Sequence, residues 1–281
     1  MKRLSYLLIV LFIVALAIPS LPYLGNTALA QDTLRVAKIL DTQGDVKVYR
    51  AGGEKSFAAY KGMGLTQGDT IITGANGKVT LEVDKDKEMK IGANTQLMIS
   101  ELVQSLRNNA DKSSFNLKAG QVYTRVKNQL APGAKYEIRT PTAVMGVRGT
   151  QFFVSLSNGV AEVVTLEGQV VVTVSQPVTG PDGTVTMQPI QIQVEPNQIF
   201  VQSPDAADPT QYNLATLTSN ENLSLFVLET LQEINEQQPD LIDPQLLENL
   251  TEQIEQARQE QQQQQEEQQQ QQQPQDRGDS S

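Results

Sequence analysis

Glycine recurs immediately ahead of β-branched runs along residues 31–203, and this punctuation limits the chain to short strands joined by tight turns. Gly44-Asp-Val-Lys-Val48, Gly77-Lys-Val-Thr-Leu81, Gly120-Gln-Val-Tyr-Thr124, Gly159-Val-Ala-Glu-Val163 and Gly168-Gln-Val-Val-Val172 all share it. Several of these runs alternate apolar and polar residues, which is the period of a half-buried strand. Asn76-Gly77, Asn158-Gly159 and Asp182-Gly183 are dipeptides that close two-residue hairpins, and the first predicts a hairpin between Ile71-Ile72 and Val79–Val83. Helix signals are nearly absent here; Asn94–Leu106 reads as a single turn or an edge strand. Spacings between the glycine-led runs are uneven, so there is no strict repeat. The pattern predicts a mainly β domain, either sandwich-like or a β-roll or short solenoid. Met187–Val194 and Gln198–Val201 extend it with two more strands.

The N-terminus predicts where the domain works. Lys2 and Arg3 precede an apolar run, Leu7–Ile18, and Pro19, Pro22 and Ala28-Leu29-Ala30 lead to Gln31. This is the layout of a secretory signal peptide over residues 1–30, with an uncleaved anchor as the alternative. After cleavage no integral membrane span is expected. Only residues up to about Tyr6 precede the apolar run, so no cytoplasmic domain is expected ahead of it.

The chain has no Cys, His or Trp, so Cys/His zinc sites, thiol nucleophiles and histidine triads are unavailable, as are disulfide staples. Loss of Lys2 and Arg3 takes the formal charge from −10 to −12. Residues 31–220 hold 18 basic and 18 acidic side chains, whereas residues 221–281 hold 2 and 14. All the excess charge is therefore in the tail, which argues against nucleic acid as a partner.

Ser203–Pro209 opens a linker, read over 204–217. Beyond it the apolar period becomes helical, predicting a hairpin of two helices over 218–258. Thr218 and Glu221 form a capping box for the first, with Leu223, Phe226, Leu231 and Ile234 on one face. Asp243 and Pro244 start the second, with Leu246, Leu247, Leu250 and Ile254 as its stripe. Residues 259–281, almost all Gln and Glu at first, read as a disordered acidic tail or a glutamine-rich coiled coil.

The most distinctive stretch runs from Thr140 to Val154, Thr-Pro-Thr-Ala-Val-Met-Gly-Val-Arg-Gly-Thr-Gln-Phe-Phe-Val. Pro141 fixes its own φ, while Gly146 and Gly149 can reach angles that a Cβ forbids. Arg148, the only charge from 140 to 161, either pairs inside the fold, with Glu162 or Glu167 as counter-charge, or points at a partner. Together with Gly44-Asp-Val, Gly64-Leu65, Gly68-Asp69 through Gly74, Gln96-Leu97, Leu117 with Gly120-Gln-Val, and Leu166-Glu-Gly168-Gln-Val170, this segment resembles a FecR-type domain over residues 34–175. The residues carrying the resemblance, in a structural or partner-binding role, are Thr140, Pro141, Gly146, Arg148, Gly149, Thr150, Phe152, Glu167 and Gly168.

The resemblance implies a mostly β, solenoid-like extracytoplasmic domain. In the family's best-known members it relays a signal from an outer-membrane iron-chelate transporter to a cytoplasmic segment that controls an alternative sigma factor. Here the expectation is a stand-alone, non-catalytic envelope module, periplasmic or extracellular, that binds an envelope protein or cell-wall polymer. The alternative is an accessory component sensing in trans for a separate membrane regulator. No cofactor and no metal are expected: Asp84, Asp86 and Glu88 alternate with lysines in a solvated charged turn and lack the glycine and ligand number of a calcium loop. Asp45 and Asp69 read as turn acceptors, and Glu162 with Glu167 as surface carboxylates, not as a sugar-cleaving pair.

Overall fold

One strand belongs to both layers of the fold. In the computed structural model, which describes residues 32–147, 149–202, 212–217, 223–239, 241–242, 259 and 263, β10 (Asp111–Val126) runs for 16 residues and changes sheet at Gly120. Gly120 has φ +89°, and a Cβ there would lie 2.3 Å from Thr95 Oγ1, so only glycine passes this point. Threonines pin the crossing. Thr95 Oγ1 accepts from the Gln121 N–H at 3.0 Å, and the Thr95 N–H donates to Thr73 Oγ1 at 2.8 Å.

Before Gly120, β10 lies in sheet A between β9 (Gln96–Gln104) and, in parallel, β11 (Lys135–Arg139). Outward from β9 come β6 (Thr70–Thr73), β3 (Val46–Tyr49) and β4 (Ser56–Ala58), with β1 (Thr33–Leu34) also on β9. Outward from β11 come β12 (Ala143–Val147), β15 (Val170–Thr179) and β16 (Val185–Val194). From Gly120 onward, β10 lies in sheet B between β8 (Lys87–Ile91) and β13 (Gln151–Ser157). That sheet continues through β7 (Lys78–Asp84), β2 (Ala37–Gln43) and β5 (Gly64–Leu65) on one side. On the other it continues through β14 (Val160–Glu167), β17 (Gln198–Gln202) and β18 (Tyr212–Thr216). Among the described residues neither sheet closes on itself.

Both sequence pictures of the β domain describe part of this fold. In cross-section it is a sandwich, with Ile39, Leu81 and Ile91 of sheet B meeting Val48, Ile71, Leu97 and Phe115 of sheet A in one buried core. In winding it is a roll, because the hairpins β11–β12, β13–β14, β15–β16 and β17–β18 fall alternately in A and B. Each docks on its predecessor in the same sheet, β15 on β12 and β17 on β14.

Sheet B is also buried on its outer side. The helix α1 (Leu225–Gln237) lays Phe226, Leu231 and Ile234 on Tyr123, Phe153, Val164, Leu166 and Ile199. Ion pairs Lys78–Glu229 (2.7 Å) and Lys90–Glu233 (2.5 Å), one helical turn apart, fix its rotation. This cover explains the consecutive apolar pairs Phe152-Phe153 and Val163-Val164, which break strand alternation because both faces are dry.

Several local expectations need correction. Asn76-Gly77 closes no hairpin: β6 and β7 lie in different sheets, and Asn76 Oδ1 instead accepts from the Asp45 N–H at 3.2 Å. Asn158-Gly159 and Asp182-Gly183 do turn the β13–β14 and β15–β16 hairpins, with Asn158 and Gly159 both at positive φ. Asn94–Leu106 holds an interior strand, β9, rather than a turn or an edge. Residues 212–216, assigned to the linker, form β18. The cap of α1 is Ser224, whose hydroxyl accepts from the Val227 N–H. Thr218 and Glu221, the second helix, the signal peptide and all of the tail but Gln259 and Gln263 lie outside the described residues.

Leu231 has no exposed surface beneath the helix. Leu231→Ala is expected to cost about 2–5 kcal/mol in urea unfolding, the range for a cavity that cannot collapse; a loss under ~0.5 kcal/mol would mean that α1 is not part of the cooperative unit.

Candidate binding face on sheet A

The distinctive 140–154 segment is β12, a corner, and β13. At its start the Thr140 hydroxyl accepts from the Ala143 N–H (3.1 Å), closing a turn around Pro141, and Thr142 Oγ1 donates to Gln202 Oε1 (2.7 Å) across to sheet B. At the corner, Gly149 (φ +64°) and Gly168 (φ +75°) stand back to back: a Cβ on Gly168 would lie 2.2 Å from the Gly149 carbonyl oxygen. Thr150 is buried there and its carbonyl accepts from the Val126 N–H at 2.8 Å, and Phe152 is wholly in the core. Arg148 lies outside the described residues.

Next to this corner is a polar hub that residue pattern did not reveal. Gln151, almost fully buried, accepts from the Tyr123 hydroxyl (2.6 Å) and donates to Glu167 Oε2 (2.6 Å). Burial raises the Tyr123 phenol far above its ordinary value. The C-cap of α1 joins the hub: with its amide oxygen toward Arg125, Gln238 accepts from the guanidinium at 2.6 and 3.2 Å. Glu167 is thus committed to Gln151. Glu162, which accepts from Ser155 Oγ at 3.1 Å, sits five residues away on the same strand, roughly 17 Å at about 3.3 Å per residue, so the fold does not bring the two carboxylates together.

Gly146 differs from its neighbours. Its φ is not positive, a Cβ would meet nothing within 4 Å, and β12 is flanked on both sides by β11 and β15. The expectation that it serves an unusual backbone angle is therefore corrected. Glycine inside a strand costs roughly 0.5–1 kcal/mol relative to alanine, and here neither angle nor packing requires that cost. What glycine leaves is space: Gly146 forms the floor of a groove of about 620 Å³, with Leu130, Pro132, Lys135, Glu137 and Gln169 among its walls. A strand glycine often marks close approach by another molecule.

Strand register places Gly146 in a single row across the outer face of sheet A. Glu101, Ser114, Glu137, Gly146, Val171 and Gln193 are successive cross-strand partners on β9, β10, β11, β12, β15 and β16. Ser114 Oγ lies 3.4 Å from Glu101 Oε2 and 3.5 Å from Glu137 Oε2. Lys135 Nζ is 2.6 Å from Glu101, and Arg139 donates to Glu137 at 2.7 and 3.1 Å. A second groove of about 490 Å³, lined by Ser100, Glu101, Ser114, Asn116 and Arg139, adjoins the first through the Glu137–Arg139 pair. The signal for this face was the alternation Lys135, Glu137, Arg139, which puts all three on one side of β11.

The other carboxylates singled out from sequence are structural. Asp69, buried, accepts from the Ala51 and Thr66 N–H groups at 3.1 and 3.0 Å and from Arg50 at 2.7 Å, the turn role expected of it. Asp45 instead meets Lys47 at 3.4 Å. The turn at 84–89 is less solvated than expected, because Lys87 is buried between Asp84 (3.2 Å) and Asp86 (2.7 Å), and Arg35 of the N-terminal segment reaches Asp84 and Asp111. Burial works against the charge on Asp86, but hydrogen bonds and charge from Lys87, aided by Asn128, outweigh it and hold the carboxyl below its usual range.

These two open sheets sharing a strand, with one outer face covered by α1 and the other grooved, define a β-roll module. Residues 69–171, from the start of β6 into β15, match the family model described as FecR protein, and the chain carries a FecR domain. Two crystal structures from Parabacteroides distasonis, described as those of a candidate anti-sigma factor, are similar at 14% identity. One match covers 58% of this chain and 73% of that one with a TM-score of 0.40; the other covers 58% and 72% with a TM-score of 0.38. No curated protein matches the chain. No helix among the described residues is long and apolar enough to cross a membrane.

Two measurements check this assignment of roles. Gly168→Ala should lower stability by about 1–3 kcal/mol or more, through a positive φ and a backbone clash, whereas Gly146→Ala should leave it unchanged or raise it by about 0.5–1 kcal/mol; equal losses in thermal unfolding would refute the distinction. For Asp86, whose folded pKa is depressed, the stabilisation is complete above the usual carboxylate range and is lost as pH falls through the folded value. Asp86→Asn should therefore flatten the acid side of the stability–pH curve and leave the neutral side parallel to wild type, and an unchanged acid slope would contradict it.

Proposed function

We propose that this chain is a non-catalytic binding module of the cell envelope, whose FecR domain engages an envelope protein or cell-wall polymer on the open face of sheet A. The observation that carries the reading is Gly146, an interior-strand glycine that lines a groove and at which a Cβ would meet no atom within 4 Å. The covered face of sheet B supports it by contrast: its apolar surface is spent on α1, which leaves sheet A as the broad exposed face. The export layout of residues 1–30 supports action outside the cytoplasm. The FecR match supports a second, related reading, in which the module is a periplasmic accessory of a cell-surface signalling system and acts with a separate membrane anti-sigma regulator.

Gly146→Gln tests the first reading, because the larger side chain would project into the groove from a position where a Cβ meets no atom within 4 Å. Capture from crosslinked envelopes should recover a partner with wild type and lose it with the variant at an unchanged melting temperature. Equal capture by both would sink the site. Recovery of a membrane protein with a cytoplasmic regulatory segment favours the signalling reading, and its consistent absence counts against it.

A further inference from the structure

We infer that the row through Gly146 is a groove for a neutral glycan strand of the cell wall, rich in hydroxyl and acetamido groups. This rests on the proposed binding role of sheet A and names its occupant. The row crosses five strand spacings, about 24 Å at ~4.8 Å each, and so suits a linear polymer lying across the strands.

Its chemistry narrows the occupant. Charges around the two grooves cancel among the described residues: Lys135, Arg139 and Lys112 stand against Glu101, Glu137 and Asp32, each in a pair of 2.6–3.0 Å. A polyanion would want a net positive surface, which this is not. A protein partner would want aromatic or large apolar anchors that become fully desolvated. The exposed large apolar residues, Phe57, Tyr60, Val185 and Met187 among them, line neither groove, and the apolar side chains Leu130, Pro132 and Val171 that line the first are aliphatic and interleaved with polar ones. What the grooves do offer is Ser100, Asn116, Gln129 and Gln169, with fixed planar carboxylates and a guanidinium between them. These are donors and acceptors for hydroxyl and amide groups of an uncharged polymer. Ser114, buried beneath the paired carboxylates, and Gly146 keep the floor low enough for a sugar ring to approach.

The test uses the mature chain with purified cell-wall sacculi and a soluble hexamer of N-acetylglucosamine. Co-sedimentation with sacculi should persist at about 0.5 M salt, where screening removes weak charge adhesion, and the hexamer should compete it. Gly146→Gln should weaken binding by about tenfold or more with no fall in melting temperature, while Lys78→Gln on the opposite face leaves it intact. Absence of sacculus binding, loss of binding in salt, or wild-type binding by Gly146→Gln would each overturn the inference. Failure here alongside Gly146-dependent capture of a protein from envelopes would overturn the glycan and spare the binding module; Gly146-independence in both assays would overturn both.

Discussion

Because β10 leaves one sheet and enters the other at Gly120, the two sheets cannot drift apart without breaking a continuous strand. The turn tolerates only glycine, and its polar groups are met by Thr95 and Thr73, so the crossing is fixed in angle as well as in place. Everything downstream inherits that geometry. The parallel pairing of β11 on the first half of β10 sets the register of sheet A, and the pairing of β13 on its second half sets that of sheet B. The chain between them, the Thr140 segment, then has to climb from one sheet to the other within a few residues, which is why Gly149 and Gly168 meet so closely at that corner.

The two outer faces have opposite fates for a physical reason visible in single strands. On sheet B, Tyr123, Phe153, Val164 and Leu166 point outward and would be an apolar surface in water; α1 removes it, and the gain scales at roughly 25 cal/mol per Å² buried. On sheet A the outward positions of β10 and β11 are Asn116, Lys135, Glu137 and Arg139, which need no cover. The helix docks on sheet B, where its acidic turns match Lys78 and Lys90. The Gln151 hub ties the two together, since one buried amide serves Tyr123 beneath the helix and Glu167 beside the corner.

Much of the strand content was legible because alternation and β-branching are local. The hairpins at Asn158-Gly159 and Asp182-Gly183 were legible for the same reason. Asn76-Gly77 was not, since a hairpin dipeptide reports a turn and not the sheet to which the next strand goes; β7 crosses to sheet B, and the asparagine side chain serves Asp45. Asn94–Leu106 misled because Gln96, Ser100 and Glu101 dilute the apolar pattern of a strand whose outer face is wet. The candidate face was legible least. Glu101, Ser114, Glu137, Gly146, Val171 and Gln193 become neighbours only through pairings of distant strands, including one parallel pair, and nothing local in the sequence encodes that row.

The glycines of the 140–168 region show how a motif can mix two kinds of constraint that look alike in sequence. Gly149 and Gly168 are demanded by the fold: positive φ at both, and contact with backbone where a Cβ would stand. Gly146 meets neither demand. A strand position between two hydrogen-bonded neighbours ordinarily favours a β-branched side chain, and Val144 and Val147 nearby show that β12 accepts them. Stability alone gives no reason for glycine at 146, and the proposed binding role supplies one, a requirement from outside the folded chain. That requirement has to act on the outward face of sheet A, since this is where the missing side chain would project, and it has to need space in preference to charge, since the flanking Lys135, Glu137 and Arg139 are already balanced. A molecule that lies close against the sheet satisfies both conditions.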